Sequence, residues 1–294
     1  MGAATPTVSF EFFPPKNAQG RDTLMAEVKN LAALNPQFMT VTYGAGGSTR
    51  DWTKETAITI QNTTGIQTAA HLTCINTFKT GILDIADELW RGGIRHIVAL
   101  RGDIPQEDMP LEYNNPCYYH YASELVQGLK ERHDFEISVA AYPEKHPEAP
   151  DMETDIEHLK RKCENGVTRA ITQFFFDHDL YFSFLEKTAA AGITTPIVPG
   201  LLPIANYKKM LGFAKMCGAS VPSCLHEKFA PHLDNQNAMD DIAADILAAQ
   251  VETLISHNVP HIHCYTLNKA DLTAAALRRC GPPKMKHENI ACAG

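Results

Sequence analysis

ILDIADELWRGGIRHIVALRGD, residues 82–103, holds one whole repeat of the fold. Ile82, Ile85, Ala86, Leu89 and Trp90 fall at i, i+3, i+4, i+7 and i+8, which gives a helix one apolar face. Gly92 and Gly93 come next, and glycine tolerates the left-handed conformation that ends a helix. His96 to Leu100 is then a short apolar, β-branched run with the character of a strand, and it turns abruptly to charge at Arg101-Gly102-Asp103.

The same order recurs on both sides of this stretch. Strand-like runs are Thr7 to Phe13, Phe38 to Tyr43, Gln67 to Thr73, His96 to Leu100, Glu136 to Tyr142, Arg169 to Phe176, Pro196 to Leu201 and His261 to Leu267. Each is followed by a longer stretch with helical spacing, and Ser48 with Asp51 offers a capping box for the second helix. Eight β/α units could form an open doubly wound sheet, but closure is the common solution for this number, so a TIM-type (β/α)8 barrel, an α/β fold, is expected. About sixty residues separate the last two strands, with Pro222, Pro231 and a helical run from Met239 to Ile255, so an extra helix is expected before the last strand. Residues 1–294 read as one catalytic domain with a core of about 7–281, and the tail 282–294 begins with two prolines and is expected to be loose.

Composition narrows the function. The 294 residues are 44% hydrophobic and 20% charged, as in a globular protein with a sizeable core. Lys and Arg total 26 against 34 Asp and Glu, a net charge of −8 with no basic run, which argues against nucleic acid. No apolar stretch reaches membrane length and Met1 to Thr7 is not a signal peptide, so no membrane partner and a cytoplasmic location are expected. The 8 cysteines form no C-x-x-C pair and read as reduced thiols. Homo-oligomerisation is left open.

In such a barrel the chemistry collects at the C-terminal strand ends. Ser9-Phe10-Glu11-Phe12-Phe13 sets a carboxylate inside an aromatic strand, where desolvation by neighbouring rings is expected to raise its pKa towards that of a proton donor near neutral pH. A structural Glu paired with a buried cation is the competing reading. Thr42-Tyr43-Gly44-Ala45-Gly46-Gly47 is a glycine-rich turn, but Thr49 stands where a dinucleotide fingerprint needs its third glycine. The fourth, fifth and sixth strands end in charge or amide at Arg101 to Asp103, Tyr142 to Glu148 and Gln173 to Asp177. A zinc site would draw on His71 with Cys74, or on His261, His263 and Cys264, and neither group is a complete ligand set.

FEFFPP, VTYGAGG, AHLTC, HIVALRGD, ISVAAYPEKHPEA, RAITQFFFD, PGLLPI and CYTLN, in this order, resemble the bacterial methylenetetrahydrofolate reductases over nearly the whole chain. The resemblance implies a barrel with noncovalent FAD that takes hydride from NADH or NADPH and, in a ping-pong cycle, reduces 5,10-methylenetetrahydrofolate to the 5-methyl form. It implies Glu11 as general acid and Asp103 as a catalytic carboxylate beside flavin and folate. Flavin contacts map to Thr42, Tyr43, Ala45, His71, Arg101, Gly102, Asp103, Tyr121, Ala122, Tyr142, His146, Ala149, Asp155, His158, Arg161 and Lys162. Substrate contacts map to Thr42, Asp103, Gln173, Lys209, Phe213 and Lys269.

Three of these positions depart from better-known members of the family: His158 replaces Asn, Lys209 replaces Gln and Lys269 replaces Arg. The last matters most, because lysine cannot reproduce a bidentate guanidinium contact. A proline-dehydrogenase-like flavin barrel, and a catalytically idle folate- or flavin-binding barrel, are the competing functions. The chain ends soon after the eighth strand, so inhibition by S-adenosylmethionine through a regulatory domain is not expected.

Overall fold

The computed structural model describes residues 6–44, 50–103 and 115–280. Nine parallel strands form one sheet: β1 (Thr7–Phe12), β2 (Phe38–Val41), β3 (Thr68–Thr73), β4 (His96–Leu100), β5 (Glu136–Ala141), β6 (Arg169–Thr172), β7 (Ile197–Val198), β8 (Gly200–Leu201) and β9 (His261–Tyr265). β7 pairs with β6, and β8 pairs with β9. Only Pro199 separates β7 from β8, so they are two halves of the expected seventh strand, and Ile197 to Leu201 joins both ends of the sheet into an eight-part barrel. Proline has no amide to give the ladder. The Pro199 carbonyl still accepts from His263 N at 2.9 Å, and Gly200 N turns to Thr172 Oγ1 at 2.9 Å.

Helices α1 (Ala18–Ala32), α2 (Arg50–Thr64), α3 (Lys79–Arg91), α4 (Ala122–Arg132), α5 (Met152–Glu164) and α6 (His178–Ala190) each follow a strand. In α3, Ile82, Ile85, Ala86 and Leu89 are buried as their spacing predicts. Burial of each large aliphatic side chain stabilises the helix against the barrel by about 1.5–3 kcal/mol. The left-handed stop falls on Gly93, with φ +86°, whereas a Cβ on Gly92 would lie 2.4 Å from Ile58 Cδ1, so any larger residue there would have to displace the Ile58 side chain.

Between β8 and β9 the chain forms α7 (Tyr207–Cys217), α8 (Ser223–Phe229), a 3-10 turn (Ala230–His232) and α9 (Gln236–Ser256), with α10 (Ala270–Arg279) after β9. The expected extra helix is thus divided in two, because Gly218 ends α7 at φ +72° and Pro222 caps α8. These helices build a second apolar cluster with Phe174, Phe176, Leu202, Tyr207, Met210 and Phe229. The expected sixth strand, Arg169 to Phe176, ends at Thr172, and its phenylalanines pack beyond the sheet. Ser48 of the expected capping box, Ala45, and the tail 282–294 lie outside the described residues.

Strand alternation decides what faces the barrel axis. Val8, Phe10 and Phe12 of β1 join the core between sheet and helices, as do Met39, Val41, Ile262 and Cys264. Thr7, Ser9 and Glu11 therefore point inward, as do His261 and His263. Branched aliphatic side chains usually fill such an axis. Here it is largely polar.

Candidate active site

Glu11, one residue before the end of β1, is the centre of this polar interior. His71 Nε2 of β3 lies 3.2 Å from its Oε2, His263 Nε2 of β9 lies 3.5 Å away, and Thr40 Oγ1 of β2 donates to it at 3.4 Å. Burial alone would raise its pKa, but attraction to His71, with polar contacts from His263 and His71, outweighs that and lowers it from 4.5 to about 2. The raised value expected from neighbouring rings is therefore corrected. Phe10 and Phe12 occupy the opposite face of β1, and histidines face the carboxylate instead.

The ends of β4 and β5 form a charged rim of both signs. Gly102 adopts φ +90°, and a Cβ there would come within 2.7 Å of Ile75 Cγ2, so the turn that presents Arg101 and Asp103 needs glycine. Arg101 pairs with Glu148 at 2.7 Å, while Asp103 is exposed and its charge helps raise the pKa of Tyr142, after burial, Cys217 and Asp155. The Tyr142 and His146 rings meet edge to face at 4.6 Å. Asp155, in the first turn of α5, accepts from His146 N at 2.9 Å, and Lys145 Nζ donates to the carbonyls of His146 and Ala149. Burial lowers the pKa of both His146 and Lys162, and Lys162 Nζ donates to Ala140 O at 2.6 Å.

Other predicted cofactor residues are placed less tightly. Thr42 N continues the β1–β2 ladder to Phe12 O, and Tyr43 is half-buried against the main core. Tyr121 caps α4 and is 55% exposed, next to half-buried Ala122. His158 and Arg161 lie exposed on α5, with Arg161 paired to Glu157 at 3.4 Å.

The predicted substrate residues fall in two places: Gln173 lies with Tyr142 and Lys145, whereas Lys209, Phe213 and Lys269 line a separate cavity. Gln173 Oε1 accepts from Phe174 N at 2.9 Å, which leaves its Nε2 as a donor. A cavity of about 220 Å³ is lined by Phe13, Leu202, Met210 and Phe213, with Lys209 and Lys269 at its edge. Both lysines are exposed. An apolar floor with cationic edges suits a flat ring carrying a carboxylate tail.

Sequence reading missed the role of His263, seen there only in the zinc grouping. The alternation of β9 separates that grouping: His261 and His263 face the axis, whereas Cys264 packs in the core outside it. Among the described residues no three His, Cys, Asp or Glu side chains converge to hold a metal ion. Nor is any helix among them long and apolar enough to cross a membrane.

The model of the methylenetetrahydrofolate reductase family matches residues 1–281. The chain is 43% identical to the 5,10-methylenetetrahydrofolate reductase of Pectobacterium carotovorum subsp. carotovorum and 42% identical to that of Escherichia coli (strain K12). Each alignment covers 93% of this chain and 90% of the relative. Among solved structures, an uncharacterized protein from Clostridium thermocellum that binds two copies of 5-methyl-5,6,7,8-tetrahydrofolic acid superposes with TM-score 0.61. That likeness covers 94% of both chains at 14% identity, and it is one of fold.

Proposed function

The chain belongs to the methylenetetrahydrofolate reductase family, and from that premise we propose that residues 1–294 act as one catalytic unit reducing 5,10-methylenetetrahydrofolate to 5-methyltetrahydrofolate with NADH or NADPH through noncovalent FAD. The observation that carries this reading is Glu11 at the mouth of the barrel, facing two histidines.

The mouth fits a flavin dinucleotide in its chemistry. Arg101, Arg161 and Lys162 supply cations for phosphate oxygens, His146 and Tyr142 supply polar rings, and Gly102 lets the chain approach closely. Thr42, Tyr43, Ala45, His71, Asp103, Tyr121, Ala122, Ala149, Asp155 and His158 complete the proposed cofactor side. When bound, FAD carries hydride from the nicotinamide nucleotide to the folate methylene carbon, the two substrates using the site in turn.

The protein's own task is the proton. Opening the five-membered folate ring leaves a basic nitrogen, and Glu11 delivers the proton to it. With its pKa at about 2, Glu11 is ionised in the free chain, so it must gain a proton before it can act as the acid. Asp103 places negative charge beside the flavin, while Gln173, Phe213, Lys209 and Lys269 hold the folate.

Purified protein should show oxidised-flavin absorbance, release FAD on unfolding, and oxidise NADH or NADPH only with methylenetetrahydrofolate or another acceptor present. Folded protein that takes up no FAD on titration, or flavoprotein that leaves methylenetetrahydrofolate unchanged, would overturn the reading.

A further inference from the structure

Three chain segments, far apart in sequence, line the cavity of about 220 Å³. Phe13 follows β1, Leu202 to Phe213 run from β8 into α7, and Leu267 with Lys269 belongs to the turn between β9 and α10. In that turn Thr266 O accepts from Lys269 N at 2.9 Å, and the two residues between them, Leu267 and Asn268, have φ of +52° and +56°. Two successive left-handed residues are the mark of a type I′ turn. Asparagine adopts that conformation readily, but for a side chain as large as that of Leu267 it is an outlier that the surroundings must hold in place.

What holds it is the end of β1. The β1–β9 ladder, in register at Glu11 and Tyr265, finishes with Thr266 N donating to Glu11 O at 3.3 Å, and Thr266 Oγ1 donates to the same oxygen at 2.6 Å. There the main chain turns away from β1 and the Asn268 side chain takes its place. Its Oδ1 accepts from Phe13 N at 2.8 Å, and its Nδ2 donates to Phe13 O at 3.0 Å. A carboxamide sets an acceptor beside a donor as a peptide group does, so Asn268 continues the ladder by one residue. Phe13 is 45% exposed, so burial alone does not fix it. Pro14 and Pro15 follow without an amide, which makes the Phe13 N–H the last donor of this segment before Lys16. On its other side the turn is tied to α1, where Glu27 Oε2 accepts from Ala270 N at 2.6 Å.

We propose that Asn268 is a positioning residue for the substrate: by clamping the main chain of Phe13 it fixes the gap between Phe13 and the Leu267 and Lys269 wall, and so the width of the cavity that takes the folate. The proposal rests on that cavity being the folate site. Asn268 does not line the cavity itself. Both ends of its amide are engaged by Phe13, and it acts through Phe13 on one side and Leu267 on the other. Without the two bonds these walls can part, and a ligand held between them binds less tightly.

Asn268→Gly separates the clamp from the turn, since glycine keeps the left-handed backbone at no steric cost and removes only the amide. Asn268→Ala removes the amide and strains the backbone as well. In the FAD-loaded enzyme each should raise the KM for methylenetetrahydrofolate roughly tenfold, the worth of two neutral hydrogen bonds. The kcat should change by less than about twofold, because Glu11 stays paired in β1 with β2 and β9. FAD content should be unchanged. Asn268→Gly should melt higher than Asn268→Ala, so the loss in KM should not follow stability. Hydrogen exchange at the Phe13 amide should be roughly tenfold faster in both variants. Asn258→Gly, the same change at an exposed left-handed asparagine with φ +57° before β9, should alter neither KM nor exchange at Phe13.

A wild-type KM in Asn268→Gly would overturn the clamp, as would KM values that track melting temperature across the two variants, which is what a turn-forming role alone predicts. Unchanged exchange at Phe13 would overturn it too. If Asn268→Ala does not fold, Asn268→Gly alone decides. A wild-type holoenzyme that leaves methylenetetrahydrofolate unreduced would overturn the functional reading and this role together, whereas normal wild-type turnover with unaltered variants would overturn this role and leave the reading standing.

Discussion

At the scale of a residue, Glu11 shows how one alternation changes a prediction. Its position and its candidacy were legible in FEFFPP, but its electrostatics were not, because the adjacent phenylalanines are neighbours in sequence and not in space. The histidines opposite it come from β3 and β9, which pair with β1 or lie across the axis only once the barrel closes. Glu11→Gln keeps the shape and removes both acid and charge. Flavin reduction by the nicotinamide nucleotide should stay near normal, while folate reduction should slow by about 10²-fold to 10⁴-fold. The depressed pKa also fixes the sign of the stability change. A carboxylate held at about 2 in the folded chain against 4.5 otherwise stabilises the fold fully above pH 4.5 and loses that contribution as pH falls towards 2. The variant should therefore melt lower than wild type at pH 7, and a clearly higher melting temperature would show that the histidines do not hold the charge as described.

At the scale of an element, the strand ends were legible where a charged residue interrupts an apolar run. Residues 96–103 gave the end of β4 directly, since His96 to Leu100 form the strand and Arg101 opens the rim. The sixth strand was overread because Phe174 to Phe176 have strand-like composition. Their burial is instead supplied partly by α7 to α9, a tertiary contact that no local pattern reveals. Gly102 tests the link from element to site. Alanine there would meet both the left-handed backbone, at a cost of about 1–2 kcal/mol, and Ile75 and Thr73 at 3.0 Å or less. Gly102→Ala should lower the melting temperature and weaken FAD binding as the turn shifts Arg101 and Asp103. Unchanged FAD affinity in a folded variant would mean that this turn does not shape the cofactor side.

At the scale of the whole molecule, a polar barrel axis ties stability to pH. The barrel itself was legible from eight spaced runs, but its polar lining required the register between strands. His261 is held down to about 3, by burial first and then by His263 and Arg169, and His96 is held well below its ordinary 6.5 by burial and then Arg169. For such histidines the unfolded chain binds the proton more readily, so stability is complete above pH 6.5 and declines as pH falls below it. Each proton taken up on unfolding contributes a slope of about 1.4 kcal/mol per pH unit. Below pH 4.5 Glu11 adds its own loss, in the same direction. Urea unfolding followed from pH 8 to pH 4 should thus be nearly level at first, decline from about pH 6.5 with close to two protons from these histidines, and steepen further below 4.5. His96→Gln keeps a polar group beside Ser138 and should remove about one proton from the middle segment, leaving the slope below 4.5 in place. A stability curve that stays level between pH 6.5 and 4.5 in the wild-type chain would mean these imidazoles are charged or solvated in the folded barrel, and would remove the acid sensitivity argued from their burial.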